Sequence, residues 1–176
     1  MIIGNRVPGR FFETTGTGES DVTIHAGSFH LALLDAGIEM CNIMTYSSIL
    51  PARARRIEYP GRESFTHGEV MESIVASHSC GPGERATAGI IYGWLMDRED
   101  RTIHGGLVCE YGGAMSEEDL RPHLGDMLDE LYVNGYSDFK LQGVRTVIDS
   151  IVPEKAYGTA LAALCFTDYY IPEVKK

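Results

Sequence analysis

Thr87-Ala88-Gly89-Ile90-Ile91-Tyr92-Gly93-Trp94-Leu95-Met96-Asp97 is an apolar run with glycines inside it. A polar turn follows at Asp97-Arg98-Glu99-Asp100, and then a second run, Ile103-His104-Gly105-Gly106-Leu107-Val108-Cys109-Glu110-Tyr111. Two apolar runs bounded by turn residues read as strands, and the short polar link predicts a hairpin. The segments on either side of it then settle the fold class.

Downstream, Ser116-Glu117-Glu118-Asp119 places a capping hydroxyl and three acidic residues at the positive end of a helix dipole. Leu120, Leu124, Met127, Leu128, Leu131 and Tyr132 share one face, and Asn134-Gly135 supplies the stop. Proline is tolerated near a helix's first turn, so Pro122 moves the expected start toward Asp119. Strands are expected at 144–152 and 159–167, and Leu161-Ala162-Ala163-Leu164-Cys165-Phe166 is apolar enough to be buried on both faces. Upstream, 68–79 reads as a strand and 40–50 as one extended segment ended by Pro51. A helix is expected from Ser28, whose hydroxyl caps it, through Phe29, Ala32, Leu33 and Ala36 to the stop at Gly37. Residues 1–22 read as a short strand or two and a loop, with Gly16 and Gly18 only a weak hint of a phosphate cradle. The sum is an α+β fold, largely antiparallel sheets with two main helices packed on them.

At 176 residues the chain has the length of a single domain, 1–176. Its 44% hydrophobic and 23% charged residues exclude collagen, disordered and membrane-bundle classes. Fifteen basic against 25 acidic residues leave a net charge of −10, which repels phosphate backbones, so no nucleic-acid partner is expected. Arg53, Arg55 and Arg56 beside Glu58 read as a solvated loop. Cys41, Cys80, Cys109 and Cys165 form no CxxC pattern, and the six histidines form no HxxxH or HExxH, so no metal is expected. Met1-Ile2-Ile3-Gly4-Asn5-Arg6 does not read as a signal peptide, and no apolar run reaches the roughly 18 residues of a membrane span. A cytoplasmic protein with free thiols, bound to no membrane, is the expectation.

Within the extended segment, Ser47-Ser48 precedes Ile49-Leu50-Pro51. A buried hydroxyl needs a partner, so paired serines suit a β core poorly. They have a chemical use: the Ser48 hydroxyl attacks the Ser47 carbonyl, the acyl group moves from nitrogen to oxygen, and elimination leaves dehydroalanine at 48. Hydrolysis then gives a pyruvoyl group, an electron sink. Taken alone, so common a dipeptide reads first as a plain turn, and its surroundings decide between the two.

Residues 29–51, Phe-His-Leu-Ala-Leu-Leu-Asp-Ala-Gly-Ile-Glu-Met-Cys-Asn-Ile-Met-Thr-Tyr-Ser-Ser-Ile-Leu-Pro, resemble the pyruvoyl-dependent arginine decarboxylase family. The shared marks are the Ala/Leu-rich helix face, the Ala-Gly-Ile stop, an Asn five residues before the serine pair, and the branched residue and proline after it. Gly105-Gly106-Leu107-Val108-Cys109-Glu110-Tyr111 is similar to the family strand that carries an essential glutamate, and 159–167 is a weaker match. The resemblance implies self-cleavage between Ser47 and Ser48 into a β chain, 1–47, and an α chain, 48–176, that begins with pyruvoyl. It implies that Asn42 assists processing and that Glu110 is the acid beside the pyruvoyl group. Burial among Val108, Cys109 and Tyr111 would keep that carboxyl protonated. It also implies a four-layer αββα sandwich, and a homo-oligomer, a trimer of αβ protomers or a hexamer, with sites between neighbours. The implied reaction is decarboxylation of an amino acid through an imine with the Ser48-derived carbonyl, arginine to agmatine by family default.

One position departs from the family. The helix residue after the aromatic is normally an aspartate that meets the guanidinium, and here it is His30. An imidazole cannot form the bidentate pair, and it suits a carboxylate, a polar or an aromatic side chain. Leu33 lies one turn on and would wall the same pocket. Asp35 or Glu39 is the other candidate to read the substrate, although Asp35 lies off that face. Three functions stand side by side: the arginine enzyme, a decarboxylase of another amino acid, acidic ones included, and a non-processing binding or regulatory homologue. A serine hydrolase fits worst, for want of a GxSxG elbow.

Overall fold

The computed structural model describes residues 5–172. In chain order the elements are β1 (Val7–Pro8), β2 (Arg10–Ser20), a π-helical stretch Ile24–Phe29 running into α1 (His30–Asp35), β3 (Asn42–Thr45), β4 (Ile49–Pro51), β5 (Arg55–Arg56), a 3-10 turn Arg62–Ser64, β6 (Val70–Cys80), β7 (Ala86–Met96), β8 (Ile103–Gly113), α2 (Glu117–Gly135), β9 (Lys140–Ile151), β10 (Tyr157–Phe166) and β11 (Tyr169–Tyr170). Among the described residues the strands form a five-stranded sheet ordered β3-β6-β10-β2-β5, a four-stranded sheet ordered β4-β8-β7-β9, and a β1–β11 pair. Only β2–β5 and β3–β6 are parallel pairs; the other pairs are antiparallel. The chain is α+β, as read from the sequence.

The expected hairpin is β7–β8, with Ile90 opposite Glu110. The pleat of β10 divides its apolar run as expected. Ala160, Ala162, Leu164 and Phe166 join Ile74, Leu50, Ile90, Tyr92 and Val108 in a core between the two sheets. Leu161, Ala163 and Cys165 face the opposite way and meet Ala32, Leu33 and Ala36 of the first helical segment. On the far side of the four-stranded sheet, Leu120, Leu124 and Leu128 of α2 pack on Ile91, Leu107 and Cys109. Burying each such leucine contributes about 1.5–3 kcal/mol.

Several sequence expectations are corrected. Ser28 is no cap: the helical segment starts earlier, and the buried Ser28 hydroxyl pairs with Thr159 Oγ1 at 2.8 Å. Residues 40–50 are not one strand but β3 and β4, in different sheets. Residues 10–20 form one long strand, and Gly16 and Gly18 are packing residues. A Cβ at either would collide with helix backbone, at Ala32 O and Ser28 O respectively. α2 starts at Glu117, capped as expected by Ser116, whose Oγ accepts from Asp119 N at 3.1 Å. Pro122 lies inside it and is tolerated because only the carbonyl of the exposed Glu118 loses its intrahelical donor. Arg55 and Arg56 form an edge strand rather than a loop. The chain end Met1–Gly4 lies outside the described residues. No helix of the described residues is long and apolar enough to cross a membrane.

Candidate active site

Residues 46–49 carry the chain from one sheet to the other. Tyr46 N donates to Ser73 O at 2.8 Å, extending the β3–β6 ladder by one residue. Ser48 O accepts from Val108 N at 3.0 Å, and Ile49 pairs with Leu107. Between these anchors, Ile49 N donates to Ser47 O at 2.9 Å, closing a three-residue turn around Ser48. Ser47 is exposed and Ser48 half-buried.

The Ser48 hydroxyl donates to Glu110, its Oγ lying 2.8 Å from Oε2 and 3.1 Å from Oε1. Glu110 reaches it because β4 and β8 are paired, and β8 can lie close because glycines flank the site. A Cβ at Gly112 would strike the Ser77 backbone, and one at Gly106 would press within 3.0 Å of Gly93 O and Leu50 Cβ. Burial pushes the Glu110 carboxyl above its ordinary value of 4.5, and the hydrogen bond from Ser48 opposes the rise in part. Burial also pushes the neighbouring Cys109 thiol up to about 11, so it stays protonated at neutral pH.

Ser48, Val108, Cys109 and Glu110 line a groove of about 470 Å³ whose other wall is Met127, Glu130, Leu131 and Asn134 of α2. The spacing of those four marks one helix face. Sequence reading assigned Met127 and Leu131 to the core and gave Glu130 no role, because helical periodicity does not say which strand residues a face meets.

The remaining candidates lie elsewhere. Asn42 is exposed at the start of β3, and its Nδ2 donates to Gly68 O at 2.8 Å. His30 and Leu33 line a separate pocket with His25, Ala26, Phe29, Glu39 and Cys41. That pocket shares no residue with the Ser48 groove of the same protomer. Of the two alternative acids, Asp35 accepts from Thr17 N at 2.9 Å and is absent from the pocket lining, whereas Glu39 lines it and is paired with Arg62 at 3.2 Å. Among the described residues, no three or more His, Cys, Asp or Glu side chains gather as a metal would need.

The family model for pyruvoyl-dependent arginine decarboxylase matches residues 10–170. A pyruvoyl-dependent arginine decarboxylase of Methanopyrus kandleri is 34% identical over 163 residues, 91% of this chain and 97% of the relative. A probable pyruvoyl-dependent arginine decarboxylase of Chloroherpeton thalassium is 32% identical over 123 residues, 64% of each chain. The pyruvoyl-dependent arginine decarboxylase AaxB of Chlamydia pneumoniae is 37% identical over 122 residues, 63% of this chain and 62% of the relative.

Proposed function

The chain belongs to the pyruvoyl-dependent arginine decarboxylase family of carboxy-lyases, and from that premise we propose that it cleaves itself between Ser47 and Ser48 and decarboxylates an amino acid, arginine by default. The observation that carries the reading is the hydrogen bond from the Ser48 hydroxyl to the half-buried Glu110.

Cleavage uses groups already in place. Glu110 takes the Ser48 hydroxyl proton as Oγ attacks the Ser47 carbonyl carbon. The Ile49 N–H, 2.9 Å from that carbonyl oxygen, stabilises the charge that develops on it. The C–O bond forms, the C–N bond breaks, and the proton passes to the Ser48 nitrogen, leaving an ester. Loss of the Ser48 Cα proton expels the Ser47 carboxylate from Cβ and leaves dehydroalanine. One water then replaces the amino group, ammonia departs, and a pyruvoyl group remains on Ile49. The products are chains 1–47 and 48–176.

A pyruvoyl carbonyl at position 48 supplies an electron sink for the carbanion that loss of CO2 creates. Glu110 supplies the proton: its burial favours the protonated carboxyl, and it lies beside the residue from which the group is made. Val108, Met127 and Leu131 give the groove apolar walls. The four-layer αββα arrangement is supported by the three buried clusters, one between the sheets and one under each helical segment. Assembly as a trimer or hexamer, with His30 and Leu33 of one protomer completing the groove of another, is supported by exposed apolar side chains at Leu31, Leu34, Met44, Ile49 and Val70. Asn42 would assist processing as the family pattern implies. A single domain and a cytoplasmic location remain part of the reading, the latter supported by four unpaired cysteines.

A second substrate is favoured by one observation. His30 is exposed in its pocket and carries no carboxylate, so an amino acid with a polar, aromatic or acidic side chain competes with arginine. Intact-mass measurement with and without phenylhydrazine tests the core of the proposal. Two chains, the larger carrying a trapped carbonyl at position 48, are expected. One unmodified chain would replace the enzyme with a binding homologue. CO2 release from arginine, aspartate and glutamate then separates the substrates.

A further inference from the structure

Glu72 is a carboxylate that neither the cleavage nor the decarboxylation uses, yet it is only 2% exposed. A buried charge is costly unless it is paired and hydrogen-bonded. Its partners are Tyr46, whose hydroxyl donates to Oε2 at 2.5 Å, and Arg6, whose Nε donates to the same oxygen at 3.1 Å and whose terminal nitrogen pairs with Oε1. The Tyr46 ring is further held 5.9 Å from that of Phe166, and Arg6 lies over the ring of Tyr169. Tyr46 immediately precedes the scissile pair. It is fixed to the five-stranded sheet through both its backbone N–H and its side chain, while Ser48 is fixed to the four-stranded sheet through Val108 and Glu110. Ser47 alone spans the gap.

We propose that Tyr46, held by Glu72 and Arg6, is a positioning residue for self-cleavage: a buried polar latch that fixes the upstream side of the Ser47–Ser48 peptide so that its carbonyl stays in line with the Ser48 hydroxyl. The inference rests on the cleavage reading above. An attack within one residue depends on geometry, and a displacement of about 1 Å costs on the order of 100-fold in rate. Tyr46 supplies no proton and touches no reacting atom. Its partner set also has a direction: Tyr46 and Arg6 belong to the segment 1–47 and Glu72 to 48–176, so the latch spans the cut and survives it.

The test follows cleavage in time. Wild type, Tyr46→Phe and Glu72→Gln are synthesised in a cell-free system and sampled by intact mass. Tyr46→Phe removes one oxygen and should slow cleavage about 10- to 100-fold. Its melting temperature should fall, because buried Glu72 loses one hydrogen bond, while the kcat and KM of the fraction that has cleaved should stay at wild-type values. Glu72→Gln acts on the latch from its other side and gives the same comparison should Tyr46→Phe fail to fold. Cleavage of the variants at the wild-type rate overturns the latch, as does equal slowing in Ser116→Ala, which loses a hydrogen bond remote from the scissile peptide. A wild-type chain that never cleaves overturns the cleavage reading itself, and this is seen without any variant.

Discussion

Tyr46 and Ser48, with one residue between them, are hydrogen-bonded into different sheets: Tyr46 to Ser73 of the five-stranded sheet, Ser48 to Val108 of the four-stranded one. The peptide between the two serines is therefore a bridge between rigid supports. That arrangement suits a bond that must be presented to its own neighbour's hydroxyl.

The two serines have unequal parts in this. In the proposed cleavage, Ser48 would contribute its hydroxyl and Ser47 its carbonyl. Ser48→Ala should remain one chain, whereas Ser47→Ala should still divide into pieces of about 5 and 14 kDa, taking roughly 110 Da per residue. Intact-mass spectrometry separates the outcomes, and an uncut Ser47→Ala chain would mean that the Ser47 side chain takes part.

Under the proposed mechanism, Glu110 would govern the pH profile. Its carboxyl is raised above 4.5 by burial, so the proton-donating form is lost as pH climbs through that raised value, and kcat should fall with it. Glu110→Gln should slow self-cleavage, and the fraction that has cleaved should lose about 10²- to 10⁴-fold in kcat and the pH step with it. Stability should fall in the same direction. The folded state holds this proton more tightly than the unfolded one, so the Glu110 contribution is full below about 4.5 and is lost as pH rises through the raised value. Glu110→Gln should then melt higher than wild type at neutral pH, and the difference should vanish toward pH 4.5. Denaturant melts across that range provide the check.

His30 is the place to look for substrate choice. His30→Asp restores a carboxylate able to pair bidentately with guanidinium and should lower the KM for arginine about tenfold, with kcat little changed. Steady-state CO2 release on both proteins decides it, and an unchanged KM would move recognition to Glu39 of the same pocket.

The α2 cap is a control remote from the groove. Ser116→Ala removes the acceptor for Asp119 N and should cost about 1 kcal/mol in a denaturant melt, with cleavage at the wild-type rate.

The strands and α2 were legible because they obey simple periods: the β7–β8 hairpin, the two buried faces of β10, the Leu120–Leu124–Leu128 stripe. Ser48 and Glu110 were legible as a pair through family resemblance, since nothing in their 62-residue separation announces a hydrogen bond. Residues 40–50 misled because an apolar run that crosses between sheets looks like one that stays in a sheet. Ser28 misled because a serine before an apolar helix face is a capping signal, and here its hydroxyl is instead buried against Thr159. Glu72 was invisible: an acidic residue in a strand reads as solvent-facing until its partners, Tyr46 and the distant Arg6, are seen to converge on it.

β2 lies inside its sheet, between β10 and β5, and β3 pairs with β6. Residues 1–47 therefore supply an inner strand, an edge strand and a helical segment to a fold whose remainder comes from 48–176. Once the chain is cut, unfolding would release two bodies instead of one. The mature protein's melting midpoint would then rise with its concentration even within a single protomer, as for any two-component complex, and dilution would loosen what a continuous chain keeps together.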